Sequence, residues 1–189
     1  MKVSVKKDGA ERIEMDVSGV STSFMNALRR YVIAYVPTLA IDTVTVYENT
    51  THMFDEFIAH RLGMVPIKTP ARLSEDEEVV LTLDVQGPKI VYSGDLKSST
   101  ASVPVKENIL LFTLEEGYSL RAECKAKVGT GHKHAKFQPG LAAYEQTGDD
   151  SFSFFVESFG HMPAKKLLTV ALDKIGDACD DLTASLKKA

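Results

Sequence analysis

Cysteine is scarce in this sequence. Its 189 residues contain two, Cys124 and Cys179, far apart and without a close-spaced pair. This offers no basis for a disulfide framework or a cysteine-built metal cluster, and it fits a reducing compartment. Long apolar runs are also missing. The start, Met1-Lys-Val-Ser-Val-Lys-Lys, has no stretch of signal-peptide length, and nowhere do about eighteen apolar residues follow one another. The expectation is a soluble, cytoplasmic chain with no membrane partner. Nor is there a basic excess: the formal charge is −4. Coating nucleic acid requires a positive surface, so strong direct nucleic-acid binding is not expected, although a local basic patch is compatible with this total. Hydrophobic residues at 44% and charged residues at 25% are ordinary globular values and exclude wholesale disorder. The length suffices for one large domain or two small ones.

Catalytic signatures are lacking as well. A nucleophilic site needs a Ser, Cys or Thr beside a positioned base, and His60, His132, His134 and His161 come with no such motif. His132 and His134 are two apart, a poor spacing for a helical metal pair, and no cysteine or acidic residue stands close by in sequence. Gly129-Thr-Gly131 does not open a helix after a strand, as a dinucleotide loop would. The acidic run Glu75–Glu78 lacks the alternating ligands and glycine of a calcium loop and reads as solvated. No catalytic and no metal residue is assigned; an enzyme using His132 or His134 is the remote alternative.

What is present begins with Thr22–Val36, read as a helix capped by Ser21 or Thr22 and stopped by Pro37. Phe24, Met25, Ala27, Leu28, Tyr31, Val32, Tyr35 and Val36 cover most of its circumference, while Asn26, Arg29 and Arg30 share one narrow polar strip. Such a helix is buried on several sides, one of them facing another protein; a core helix with two solvated arginines satisfies the same pattern. A second telling helix opens at Pro163. Its Leu168, Leu172, Ile175, Cys179, Leu182 and Leu186 recur at alternating steps of four and three, the narrow seam of helix-on-helix packing. The seam either folds back on the first helix or meets a partner, and both can hold in part.

Between these helices, Asp8-Gly9 marks a hairpin turn between Lys2–Lys6 and Arg12–Val17. Ala40–Tyr47 reads as a strand with Ile41, Thr43, Thr45 and Tyr47 on one face and Val44 and Val46 on the other. Met53–Leu62 reads as a short helix with Phe54, Phe57, Ile58 and Leu62 on its apolar side, ended by Gly63 as a left-handed cap. Val79–Val85, Lys89–Tyr92, Ile109–Leu114 and Ser119–Val128 form a β-rich lobe. Gly129–Gly140 is an ordered loop, Glu145–Asp150 a linker, and Ser151–Ser158 another strand.

Three stretches together resemble one family: Phe24-Met-Asn-Ala-Leu-Arg-Arg30, Phe54-Asp-Glu-Phe-Ile-Ala-His-Arg-Leu-Gly-Met-Val-Pro-Ile67, and Gly129-x-Gly-x-x-His134-Ala-Lys-Phe137-x-Pro139. Their order and spacing are similar to the alpha-like, D-type component of archaeal DNA-directed RNA polymerase, a relative of the bacterial alpha subunit's N-terminal domain and of the third-largest subunit of eukaryotic polymerase II. The resemblance runs over essentially the whole chain, including Phe155-Val-Glu-Ser158; Phe137 stands where many relatives have tryptophan. It implies an α+β, two-lobe, alpha-N-terminal-domain-like fold. A discontinuous dimerisation lobe, a mixed sheet with two long helices, would comprise residues 1–49 and 151–189, with a β-rich lobe inserted at 50–150.

The resemblance further implies a non-catalytic assembly platform in transcription, pairing with subunit L and recruiting the large subunits, on which nucleotidyl transfer and its metal ions would reside. Phe24, Leu28, Tyr31, Leu168, Leu172, Ile175, Cys179, Leu182 and Leu186 would form the dimer interface. Asn26, Arg29, Arg30, Glu56, His60 and Arg61 would meet a large subunit, unless His60 and Arg61 only anchor the loop after Gly63. Docking of other small subunits is left open. Many archaeal members insert a cysteine-rich segment carrying iron–sulfur clusters, which would fall between Tyr144 and Phe152. Only Glu145–Ser151 spans that gap here, so no cofactor is expected on this chain; a natural loss and an engineered deletion both fit. The rival to the heterodimer is an alpha-type homodimeric interaction domain.

Overall fold

The computed structural model describes residues 1–70, 78–98 and 104–188. In chain order the elements are β1 (Lys2–Asp8), β2 (Arg12–Ser18), α1 (Thr22–Ala34), β3 (Thr38–Asn49), α2 (Asp55–Gly63), β4 (Val79–Gln86), β5 (Lys89–Tyr92), β6 (Lys97–Ser98), β7 (Leu110–Leu114), β8 (Ser119–Gly129), β9 (Gly140–Gly148), β10 (Ser151–Ser158) and α3 (Ala164–Leu186). Short 3₁₀ turns lie at Ser93–Asp95 and Ala135–Phe137. The elements form two units, Met1–Pro37 with Thr130–Ala189, and Thr38–Gly129. The α+β class expected from the sequence is the one observed.

The first unit is a four-stranded sheet in the order β1-β2-β10-β9 with α1 and α3 packed on it. Alternation in β2 sends Ile13, Met15 and Val17 to one face, and the antiparallel register sets them opposite Val156, Phe154 and Phe152. All six are buried, together with Met25, Leu28 and Val32 of α1 and Leu167 and Leu168 of α3. Each such side chain contributes about 1.5–3 kcal/mol by leaving water. The sheet expected as mixed is antiparallel throughout. Glu145–Asp150 is no linker: Glu145–Gly148 ends β9, with Gln146 opposite Phe152. This stretch is exposed and polar, so it shows no apolar alternation, but ladder hydrogen bonds join backbones and need none.

The second unit holds a four-stranded sheet, β3-β8-β4-β6, and the pair β5-β7. Strands foreseen at Val79–Val85, Lys89–Tyr92, Ile109–Leu114 and Ser119–Val128 are present as β4, β5, β7 and β8. Leu81 and Leu83 of β4, Leu120 and Cys124 of β8, and Ile58 and Leu62 of α2 build its core. Three expectations fail here. The register of β3 shifts between Ile41 and Thr43 and again between Val46 and Glu48. The first bulge puts Val44 and Val46 against the same core as Ile41 and leaves Thr43, Thr45 and Tyr47 outside, because an extra residue inverts the alternation beyond it. In α2, Gly63 is the last helical residue, without positive φ, and Met64 is the C-cap in right-handed conformation. Phe54 and Phe57 are 79% and 50% exposed, so only Ile58 and Leu62 serve as its core side.

The boundaries therefore fall at 37/38 and 129/130, not at 49/50 and 150/151. β3 belongs to the second unit because β8 pairs along almost its whole length. The region 130–150 joins the first unit through β9 and its pairing with β10. Within the acidic run, Glu75–Glu77 lies outside the described residues.

Candidate functional site

α1 begins where Ser21, in extended conformation, accepts the Phe24 N–H at its Oγ, 3.3 Å away. The helix buries Met25, Leu28 and Val32 and leaves Asn26 and Arg30 exposed. Arg29 lies over Asn26 and donates from Nε and Nη2 to Oδ1, at 3.3 and 3.0 Å. The predicted polar strip thus exists as a connected pair plus Arg30, whose side chain makes no hydrogen bond or ion pair among the described residues. Leu28, expected at a dimer interface, is only 5% exposed and already spent on the unit's own core. Phe24 and Tyr31 are half-buried beside that core.

The loop after residue 129 closes the far end of α1. The His132 N–H donates to the Ala34 carbonyl at 2.8 Å, and the His132 ring stacks on Tyr35 with centroids 5.4 Å apart. Tyr35 in turn meets Tyr31 at 4.7 Å. Gly131 permits this approach: a Cβ there would lie 2.5 Å from the Ile33 carbonyl oxygen. His134 accepts the Lys136 N–H at Nδ1, 3.1 Å away. Both histidines are thus engaged in local structure. Among the described residues no group of three or more His, Cys, Asp or Glu side chains could hold a metal ion.

α3 is set by the turn before it. Ser158 Oγ donates to the Met162 carbonyl at 2.5 Å and accepts the Gly160 N–H at 3.0 Å, while Gly160 takes φ +97°. Pro163 is the N-cap, one position before the first helical residue. From there the helix buries Ala164, Leu167, Leu168 and Ala171. Sequence spacing selected Leu168 but missed Leu167 and Ala171, which lie on one flank of the seam. Beyond them the seam emerges: Leu172 is 42% exposed, Ile175 is partly buried, Cys179 is exposed, and Leu182 and Leu186 reach 63% and 69%. Every residue from Gly176 to the end of α3 is exposed.

In the second unit, Arg61 donates from Nη2 to the Leu110 carbonyl at 2.5 Å and from Nε to the Leu111 carbonyl at 3.2 Å. It clamps the start of β7 and not the loop after Gly63, the anchor that the sequence reading left open. His60 and Arg61 line a cavity of about 160 Å³ with Met64, Val65 and Ile109–Leu111. Glu56 and His60 are exposed, and their side chains make no hydrogen bond or ion pair among the described residues. A larger cavity of about 410 Å³ on the outer face of the β3-β8-β4 sheet is lined by Tyr47, Asp84, Arg121 and Glu123 among others. It offers carboxylates, a guanidinium and the hydroxyls of Tyr47 and Thr82. Cys124 is buried in this unit, and burial, helped by Glu123, pushes its thiol up to about 12.

The family model described as the RNA polymerase Rpb3/RpoA insert domain matches residues 40–143. DNA-directed RNA polymerase subunit Rpo3 of Methanocaldococcus jannaschii is 44% identical over 165 residues, 87% of this chain and 85% of that protein. The Rpo3 of Pyrococcus horikoshii is 44% identical over 153 residues, 77% of this chain but 59% of its own length. That of Halobacterium salinarum is 32% identical over 226 aligned positions, 90% of this chain and 91% of that protein. Because 226 positions exceed the 189 residues here, the Halobacterium protein carries sequence without a counterpart in this chain.

Proposed function

The chain belongs to the Rpo3 family of DNA-directed RNA polymerase subunits, and on that footing we propose that it is a non-catalytic assembly platform of the enzyme in the cytoplasm. It pairs through α3 and the rim of α1 with subunit L, and then recruits the large subunits. One observation carries this reading: the seam of α3 starts buried at Leu168 and runs on, unchanged in spacing, to Leu186 at 69% exposure. A regular apolar seam open to water over several turns is a surface awaiting a second helix.

The strip Asn26, Arg29 and Arg30 and the group Glu56, His60 and Arg61 are offered to the large subunits. Arginine suits such a contact because its planar fork binds carboxylates and carbonyls in fixed geometry. Of these groups Arg61 contributes indirectly, by holding β7 in place. The reading places no cofactor on this chain. No helix among the described residues is long and apolar enough to cross a membrane.

Sedimentation of the chain alone and with purified subunit L, over a concentration series, tests the pairing. A tight one-to-one complex is expected. A stable homodimer that ignores subunit L would transfer the seam to the alpha-type homodimer instead. Recruitment is tested by Arg29→Glu with Arg30→Glu, which should leave the small heterodimer intact and prevent binding of a large subunit; loss of the heterodimer itself would put the strip at the other interface.

A further inference from the structure

Two segments of the first unit, 17–37 and 130–144, contain no Asp or Glu, in a chain whose formal charge is −4. Between them they carry Arg29, Arg30, Lys133 and Lys136. The fold brings these segments together. The His132 N–H bonds the Ala34 carbonyl, so Lys133 follows directly on the C-terminal end of α1, and Arg30 lies one turn before Ala34, about 6 Å along the axis. Arg30 and Lys133 are exposed, and the side chains of Arg29, Arg30 and Lys133 enter no ion pair among the described residues. Both segments are also held in place. Asn26 Oδ1 accepts from Nε and Nη2 of Arg29, which fixes one edge of the guanidinium and leaves its Nη1 end open. In the loop, the Lys133 and His134 N–H groups donate to the Thr130 carbonyl at 2.9 and 3.3 Å. Phe137 is buried at 1% exposure, with Lys136 Nζ 5.1 Å from its ring centroid.

We infer that the large subunit recruited through Asn26, Arg29 and Arg30 brings an acidic segment that lies across this strip and continues over the loop at Lys133 and Lys136. This rests on the recruitment proposed above and adds the loop to the contact and the chemistry of the occupant. Charge selects that chemistry. An apolar cover would bury four like charges unpaired, which is costly, whereas carboxylates pair them. The open end of the Arg29 fork suits a carboxylate as well, because Asn26 has already fixed its plane. A nucleic acid fits less well: its backbone is held by extended basic surfaces, and this positive region ends after four cations.

The test uses the full chain paired with subunit L and each purified large subunit, comparing the native sequence with Lys133→Glu plus Lys136→Glu and with Lys133→Gln plus Lys136→Gln. The glutamate pair should weaken large-subunit binding about tenfold or more and the glutamine pair less, with binding to subunit L unchanged. Native affinity should fall about tenfold or more between about 0.05 and 0.5 M salt, and the glutamate pair should flatten that dependence. If the lysine substitutions bind like the native chain while Arg29→Glu with Arg30→Glu does not, the loop is no part of the contact and recruitment through the strip stands. If neither set matters, recruitment through the strip falls and takes this inference with it. A native affinity indifferent to salt would overturn the acidic occupant, and loss of subunit L binding in the lysine variants would put the loop at the other interface. Binding of a labelled single-stranded DNA oligonucleotide at about 0.15 M salt, abolished by the glutamate pair, would assign the patch to nucleic acid and overturn the inference.

Discussion

The first and last turns of α3 share one seam and meet opposite surroundings. Leu167 is fully buried and Leu168 is 9% exposed, whereas Leu182 and Leu186 are 63% and 69% exposed. Composition does not separate them, since leucine recurs at both ends. The difference lies in what stands opposite: α1 and the β2-β10 face for the first turns, and solvent for the last. A seam records that a face is to be covered, and only the neighbourhood shows by what. The arginines repeat the lesson. Arg61 is spent on two carbonyls of β7, while Arg30 is left unoccupied among the described residues.

Four experiments probe this contrast. Leu167→Ala should cost about 2–5 kcal/mol of unfolding free energy by leaving a cavity, whereas Leu182→Ala should stay within about 0.5 kcal/mol. Equal losses in urea titrations of the free chain would erase the distinction between the two ends. Leu172→Asp should lower affinity for subunit L about tenfold or more by placing a carboxylate in an apolar contact, with the urea midpoint of the free chain nearly unchanged; unaltered affinity would refute the seam as the interface. Arg61→Ala should destabilise the second unit by about 1–2 kcal/mol, as it removes two hydrogen bonds to β7. Arg30→Ala should leave stability untouched. A matching loss in both would mean that Arg30, too, is structural.

The smallest effect, nil at neutral pH, separates the two cysteines. The folded chain keeps the Cys124 proton up to about 12, against 9.0 for an unburied thiol. Between those values the unfolded chain has released a proton that the folded chain still holds. Stability is therefore lost as pH rises through that window, and Cys124→Ala should remove that part of the alkaline slope. In the free chain at pH 8, Cys179 should react with an alkylating reagent while Cys124 does not, and binding of subunit L should protect Cys179. Labelling of Cys124 in the folded chain would contradict its burial.

Much of this was legible in the residues. The β1–β2 hairpin, α1 with its serine cap, the strands of the second unit and the long terminal helix follow from alternation, spacing and turn formers. The strip Asn26–Arg29 was visible as a spacing of three and is a hydrogen-bonded pair in the fold. Other features escaped for identifiable reasons. β9 was hidden because an edge strand with exposed Glu145, Gln146 and Thr147 needs no apolar pattern. The bulges in β3 were invisible because an extra residue leaves no mark in composition. Leu167 and Ala171 were passed over because a seam counted in fours and threes favours Leu168 and Leu172, while the sheet approached α3 from one side of that line. Phe54 and Phe57 were assigned inward because hydrophobicity carries no sense of direction.

The order of residues alone settled most of the segments that become helix or strand, β9 excepted, and that two helices carry more apolar surface than a small domain hides. Those properties are local: they depend on side-chain chemistry at spacings of two, three and four. Folding in three dimensions settled where the units divide, which leucines of the terminal helix are already covered, and that Arg61 is committed to β7. These depend on pairings between residues far apart in the chain, such as β3 with β8 and β9 with β10, whose register is set by how whole faces fit together.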